Sequence, residues 1–145
     1  MGILKIFSGK DPEDYEQKGD SYFETAKYGH AKIEYETALN KLESKSPNNT
    51  ELKKRLQDKI LHSKEALALQ HKQTGEEFMR AEMFDEAEEI VRLALELTED
   101  PGLTVKLEEQ LQEIHNHFMG DINKKSAAGN FNHRALWVYI RLLNC

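Results

Sequence analysis

Residues 15–39 read YEQKGDSYFETAKYGHAKIEYETAL, and residues 71–95 read HKQTGEEFMRAEMFDEAEEIVRLAL. From the glycine onward the two stretches share one spacing. Gly19, Tyr22, Tyr28, Ala31, Tyr35, Ala38 and Leu39 recur 56 positions later as Gly75, Phe78, Phe84, Ala87, Val91, Ala94 and Leu95. Small and aromatic residues three, four and seven apart fall on one face of a helix, so each copy predicts two amphipathic helices joined by a sharp turn. Glycine on the first helix and alanine at Ala31 or Ala87 let two helix axes approach closely, while the aromatic rings fill the space alongside.

Working outward, the punctuation predicts where each helix begins and ends. Asp11, Pro12, Glu13 and Asp14 supply an N-cap acceptor, a pre-set φ and two acids near the positive helix end. A turn at Tyr28 and Gly29 is expected to separate the first helix from a second that runs to about Ser44. Ser46, Pro47, Asn48, Asn49 and Thr50 make a break. The third helix starts at Glu51 and meets no breaker before about Glu82, roughly 32 residues or 48 Å at 1.5 Å per residue. A fourth covers Asp85 to Thr98 and stops at Asp100, Pro101 and Gly102. A fifth, from about Leu103 to Ser126, carries the stripe Leu107, Leu111, Ile114, Phe118 and Ile122 at helical steps. Gly129, Asn130 and Phe131 then read as another inter-helix turn before a sixth helix.

Composition fits such a chain. Charged residues make up 32% and apolar ones 39% of the 145 residues, the profile of amphipathic helices with solvated outer faces. The net charge of −6 argues against a nucleic-acid or anionic-membrane binder. Cys145 is the only cysteine, which excludes an intrachain disulfide and fits a cytoplasmic setting. No apolar run approaches the roughly 20 residues that span a bilayer.

The repeated pattern resembles that of the tetratricopeptide repeat family: an aromatic, a glycine and an aromatic on the first helix, then alanine, aromatic, alanine on the second. Tyr15, Gly19, Tyr22, Tyr28, Ala31, Tyr35 and Ala38 match nearly every signature position. Gly75, Phe78, Phe84, Ala87 and Ala94 match in the second copy, where His71 replaces the leading aromatic and Val91 the later one. The resemblance implies an all-α fold of antiparallel helix hairpins stacked as a short right-handed solenoid of about six helices, the third and fifth elongated. It places one domain at 11–145 behind an apolar leader at 1–10. Repeat 1 lies at about 12–45, repeat 2 at about 51–101 and a degenerate repeat 3 at about 103–143.

In that family, peptides lie along a groove lined by the first helix of each repeat. Carried over, this face presents Glu13, Glu16, Asp20, Phe23 and Glu24 in the first copy and Lys72, Glu76, Met79 and Arg80 in the second. The lysine and asparagine of the family's clamp for a C-terminal carboxylate are replaced here by Glu16 and Asp20, which would repel a carboxylate. The groove is therefore expected to prefer a basic or amphipathic protein segment, with Phe23 and Met79 as apolar anchors; alternatively the acids only solvate a helix face. The last helix is apolar nearly all round. Leu136, Trp137, Tyr139, Ile140 and Leu143 are either buried within the monomer or form a homodimer or partner surface, unless the tail is truncated or artificial.

Lys53, Lys54, Arg55, Lys59 and Lys64 make the third helix basic, and Asp85, Glu86, Glu88, Glu89, Glu96, Glu99 and Asp100 make the next repeat acidic. Such runs are expected to be solvated faces with i,i+4 partners, and phosphate binding is disfavoured because no aromatics interleave. The leader carries Ile3, Leu4, Ile6 and Phe7, which either cap the first hairpin or touch a membrane or a partner through residues 1–7. No catalytic or metal motif is present: no histidine follows a glutamate at Glu-x-x-His spacing, and His115 and His117 sit about 200° apart on a helix. The reading is a non-catalytic adaptor or scaffold without cofactor, bacterial in style; the alternative is a structural protein that pairs with itself.

Overall fold

The computed structural model describes residues 10–127. Among them the chain forms five helices: α1 (Pro12–Glu24), α2 (Tyr28–Lys45), α3 (Thr50–Arg80), α4 (Phe84–Leu97) and α5 (Pro101–Ala127). The expected sixth helix with its apolar residues, the turn at 129–131 and the leader at 1–9 lie outside the described residues.

Helices α1, α3 and α5 start where a side chain offers a partner for a free amide, whereas α2 and α4 follow directly on tight turns without a side-chain cap. Asp14 returns a carboxylate to the Asp11 amide at 3.0 Å, with Pro12 in the first turn of α1. The Asn49 side chain accepts the Leu52 amide at 3.1 Å and opens α3. Asp100 accepts the Leu103 amide at 2.9 Å. The Asp100, Pro101 and Gly102 cluster, expected as a stop alone, thus also starts α5, with Pro101 at the first helical position where its missing N–H costs nothing.

The inter-helix turn falls earlier than expected. Tyr28 and Gly29 are already inside α2, and the left-handed residue is Ala26, at φ 57°. Its counterpart in the second copy, again 56 positions on, is Glu82 at φ 58°. The hydrogen bonds repeat as well. Ala26 and Lys27 donate to the carbonyls of Phe23 and Tyr22 at 3.0 and 2.9 Å; Glu82 and Met83 donate to those of Met79 and Phe78 at 3.0 and 2.9 Å. These are Schellman closures, in which the chain reverses through one left-handed residue and satisfies two orphan carbonyls. Neither position is glycine, so the turn left no glycine signal in the sequence.

The close approaches read from the glycines are present in both copies. A Cβ on Gly19 would stand 2.5 Å from the Tyr35 ring, and one on Gly75 would stand 2.6 Å from a Val91 methyl. Tyr35 and Val91 occupy the same repeat position, so a single crossing is built twice with different side chains.

Successive helices pack on one another, and α5 also touches α3. Two cores result. In the first, Ala31, Tyr35, Ala38 and Leu42 of α2 meet Leu52 and Leu56 of α3, with Tyr15, Tyr22 and Phe23 of α1 alongside. In the second, Ala68 of α3 meets Ala87, Val91 and Ala94 of α4 and Leu107 and Ile114 of α5. The 31 residues of α3, about 46 Å long, run through both. Its first half closes the α1–α2 hairpin and its second half pairs with α4.

Candidate partner-binding site

Two seams join the helices that carry the groove residues of the resemblance. The first lies between α1 and the front half of α3. Here Glu16, only 7% exposed, accepts a two-pronged hydrogen bond from Arg55, both at 2.8 Å, and lies 2.9 Å from the Lys59 ammonium. Lys59 also holds both carboxylate oxygens of Asp20, at 2.6 and 2.8 Å, and sits 5.5 Å from the centre of the Tyr35 ring. The Tyr35 hydroxyl donates to Asp20 at 2.6 Å. Glu13 and Glu24 add their negative fields at Arg55 and Tyr35 respectively.

The electrostatics follow from these partners. The Arg55 hydrogen bonds hold Glu16 at about 2, against burial, which pushes the other way, and Lys59 assists. Burial and the bond to Asp20 raise the Tyr35 hydroxyl above its ordinary value. Burial opposes the charge on Lys59, but its bonds to Asp20 and Glu16 prevail and raise it. Glu16 and Asp20 are thus neutralised within the chain. Phe23 is half-buried, packed on the first core and edge-on to Tyr28 at 5.1 Å. The front of the expected groove is filled by its own side chains.

The second seam, between the end of α3 and the middle of α5, is open. A cleft of about 340 Å³ is lined by Glu76, Met79 and Arg80 of α3 and by Glu113 and His117 of α5. Glu76 pairs with Lys72 one turn earlier. Met79 packs on the second core, and Gln110 ties the two helices by donating to the Lys72 carbonyl at 3.1 Å. His117 stacks on Phe84, centroids 5.6 Å apart and planes 9° from parallel, which fixes one wall. Among the described residues Arg80 and Glu113 have no ion-pair or hydrogen-bond partner.

The structure therefore divides the carried-over residues. Lys72, Glu76, Met79 and Arg80 come together beside a cleft, whereas Glu13, Glu16, Asp20, Phe23 and Glu24 belong to the α1–α3 seam. Glu113 was not singled out and His117 was considered only as a metal ligand, because the register between α3 and α5 is set by packing. The α1–α3 pairing did leave a signal: Glu16 and Asp20 are four apart, as are Arg55 and Lys59, two complementary doublets on two helices.

The basic run corrects the expectation of i,i+4 partners. Lys53 pairs with Glu43 at 2.9 Å, Arg55 and Lys59 with α1, and Lys64 with Glu99 at 2.9 Å, all on other segments. Among the described residues no group of three or more His, Cys, Asp or Glu is placed to hold a metal ion, and no helix is long and apolar enough to cross a membrane. Comparison with protein-family models, with curated proteins and with solved structures finds no match for this chain.

Proposed function

We propose that the chain is a non-catalytic protein-interaction module of tetratricopeptide type, and that it receives a partner segment in the cleft between α3 and α5. One observation carries the reading. On the face where the resemblance puts ligand contacts, the α3–α5 seam is open and offers an unpaired cation and an unpaired carboxylate beside an apolar floor. The duplicated crossing at Gly19 and Gly75 and the duplicated turn at Ala26 and Glu82 support the repeat reading. The preferred partner is an amphipathic segment that presents an apolar residue to Met79, a carboxylate to Arg80 and a cation to Glu113.

The test uses tagged full-length protein, with co-purifying proteins quantified for the parent, for Arg80→Glu with Glu113→Lys, and for Lys106→Glu with Glu108→Lys. Each pair alters exposed charges, so helicity should survive. A partner depleted about tenfold by the cleft pair, and not by the α5 control pair, is the expected result. Equal recovery across all three overturns the cleft, and recovery of the chain alone favours self-assembly.

A further inference from the structure

The length of α3 leaves a second groove that the proposed function does not use. α2 packs on the front half of α3 and α4 on the rear half, so the two meet near the middle of α3 without packing substantially on each other. Beside that junction lies a groove of about 480 Å³. Leu39, Ile60 and Leu61 supply its apolar floor; Leu61 is 39% exposed. Glu36, Asp58 and Glu99 line it; Glu36 is paired with Lys32 at 3.0 Å and Glu99 with Lys64 at 2.9 Å. Among the described residues Asp58 has no partner. An apolar strip with an acidic rim fits a short segment that alternates aliphatic and basic residues.

We propose that residues 3–7 of the same chain, Ile-Leu-Lys-Ile-Phe, dock in this groove. The chemistry matches: Ile3, Leu4, Ile6 and Phe7 are apolar, Lys5 and Lys10 are basic, and no acid precedes Asp11. The reach matches as well. Asp11 is held 3.0 Å from Lys45 at the end of α2, and Leu39 lies six residues back along that helix, about 9 Å. Rounding the helix adds about 10 Å. The seven residue steps from Asp11 back to Leu4 span about 24 Å when extended, longer than that path to Leu39 and enough to bring Leu4 into the groove. The segment 128–145 is the poorer occupant, because α5 leads away from the groove and ends about 39 Å beyond Pro101. Docking would cover Leu61 and set Lys5 against Asp58.

The test is disulfide formation in the full chain carrying Cys145→Ser, Leu4→Cys and Leu61→Cys, compared with Leu4→Cys and Leu93→Cys. Leu93 is exposed to a similar degree, 43%, on α4. A tethered, docked pair is expected to close within the monomer at least about tenfold faster than the control pair. Adding Asp58→Lys to the docked pair should slow that closure. Equal rates for the two pairs, or a bond found only between two chains, overturns the proposal. So does sedimentation of the parent chain with vesicles of mixed neutral and anionic phospholipid that deletion of residues 2–8 abolishes.

Discussion

Single atoms decide how closely these helices lie. A methyl at Gly19 or Gly75 has no room, since its nearest neighbours are a packed ring and a buried branched side chain, and Gln110 also stands 2.9 Å from the Gly75 position. Gly19→Ala and Gly75→Ala should each cost about 1–3 kcal/mol, measurable as a lower urea midpoint. The opposite sign is expected at the turns. Ala26 and Glu82 hold left-handed φ values, which cost an L-residue about 1–2 kcal/mol, so Ala26→Gly and Glu82→Gly should gain up to about 1 kcal/mol after glycine's entropy is counted. Ser63 is fully buried in the middle of α3, and its hydroxyl has no partner. Ser63→Ala removes an unmet polar group from an interior helix position and should stabilise by about 1 kcal/mol; a loss in thermal denaturation would mean that the hydroxyl finds a partner in solution. The crossings were legible because they rest on residue size, which a sequence states outright. The turns were not, because their left-handed residues are ordinary ones.

Between elements, the clasp of Glu16, Asp20, Arg55 and Lys59 fastens α1 to α3. Glu16 titrates at about 2 in the folded chain against an ordinary 4.5, so its contribution is complete above about pH 5 and is lost as the pH falls toward 2. Arg55 is half exposed, which reduces the effect to about 1–3 kcal/mol. Urea unfolding at pH 7 and pH 2.5 should show that difference in the parent and a smaller one in Glu16→Gln, which should itself be less stable at pH 7. Helix extents were legible, since caps and breakers are local: α3 was expected from Glu51 to about Glu82 and runs Thr50–Arg80. The destinations of the charges were less so. A lysine's spacing reveals neighbours on its own helix, whereas Lys53, Arg55, Lys59 and Lys64 all find acids on other segments.

At the scale of the molecule, two cores share a helix, and their sizes bear on stability. Leu56 is fully buried in the first and Leu107 in the second. Leu56→Ala and Leu107→Ala should each cost about 2–5 kcal/mol. Native-state hydrogen exchange should show the Leu56 change releasing mainly α1 and α2, and the Leu107 change mainly α4 and α5; uniform loss of protection in both would show one cooperative unit instead. The all-helical fold and the crossing built twice, at Gly19 and Gly75, were legible from period and residue size. The cleft was not, because Glu113 and His117 reach Met79 and Arg80 only through the way α5 lies on α4.

The uninterrupted α3 also makes residue count an angle. Between Leu56 and Ala68 the helix is the main link between the cores, so one residue inserted at its exposed middle, near His62, would turn the rear unit by about 100° and advance it 1.5 Å. Seven inserted residues would restore the heading to within about 20°. Orientation of the cleft relative to the first hairpin is therefore dialled by chain length alone, as pitch sets the thread of a screw.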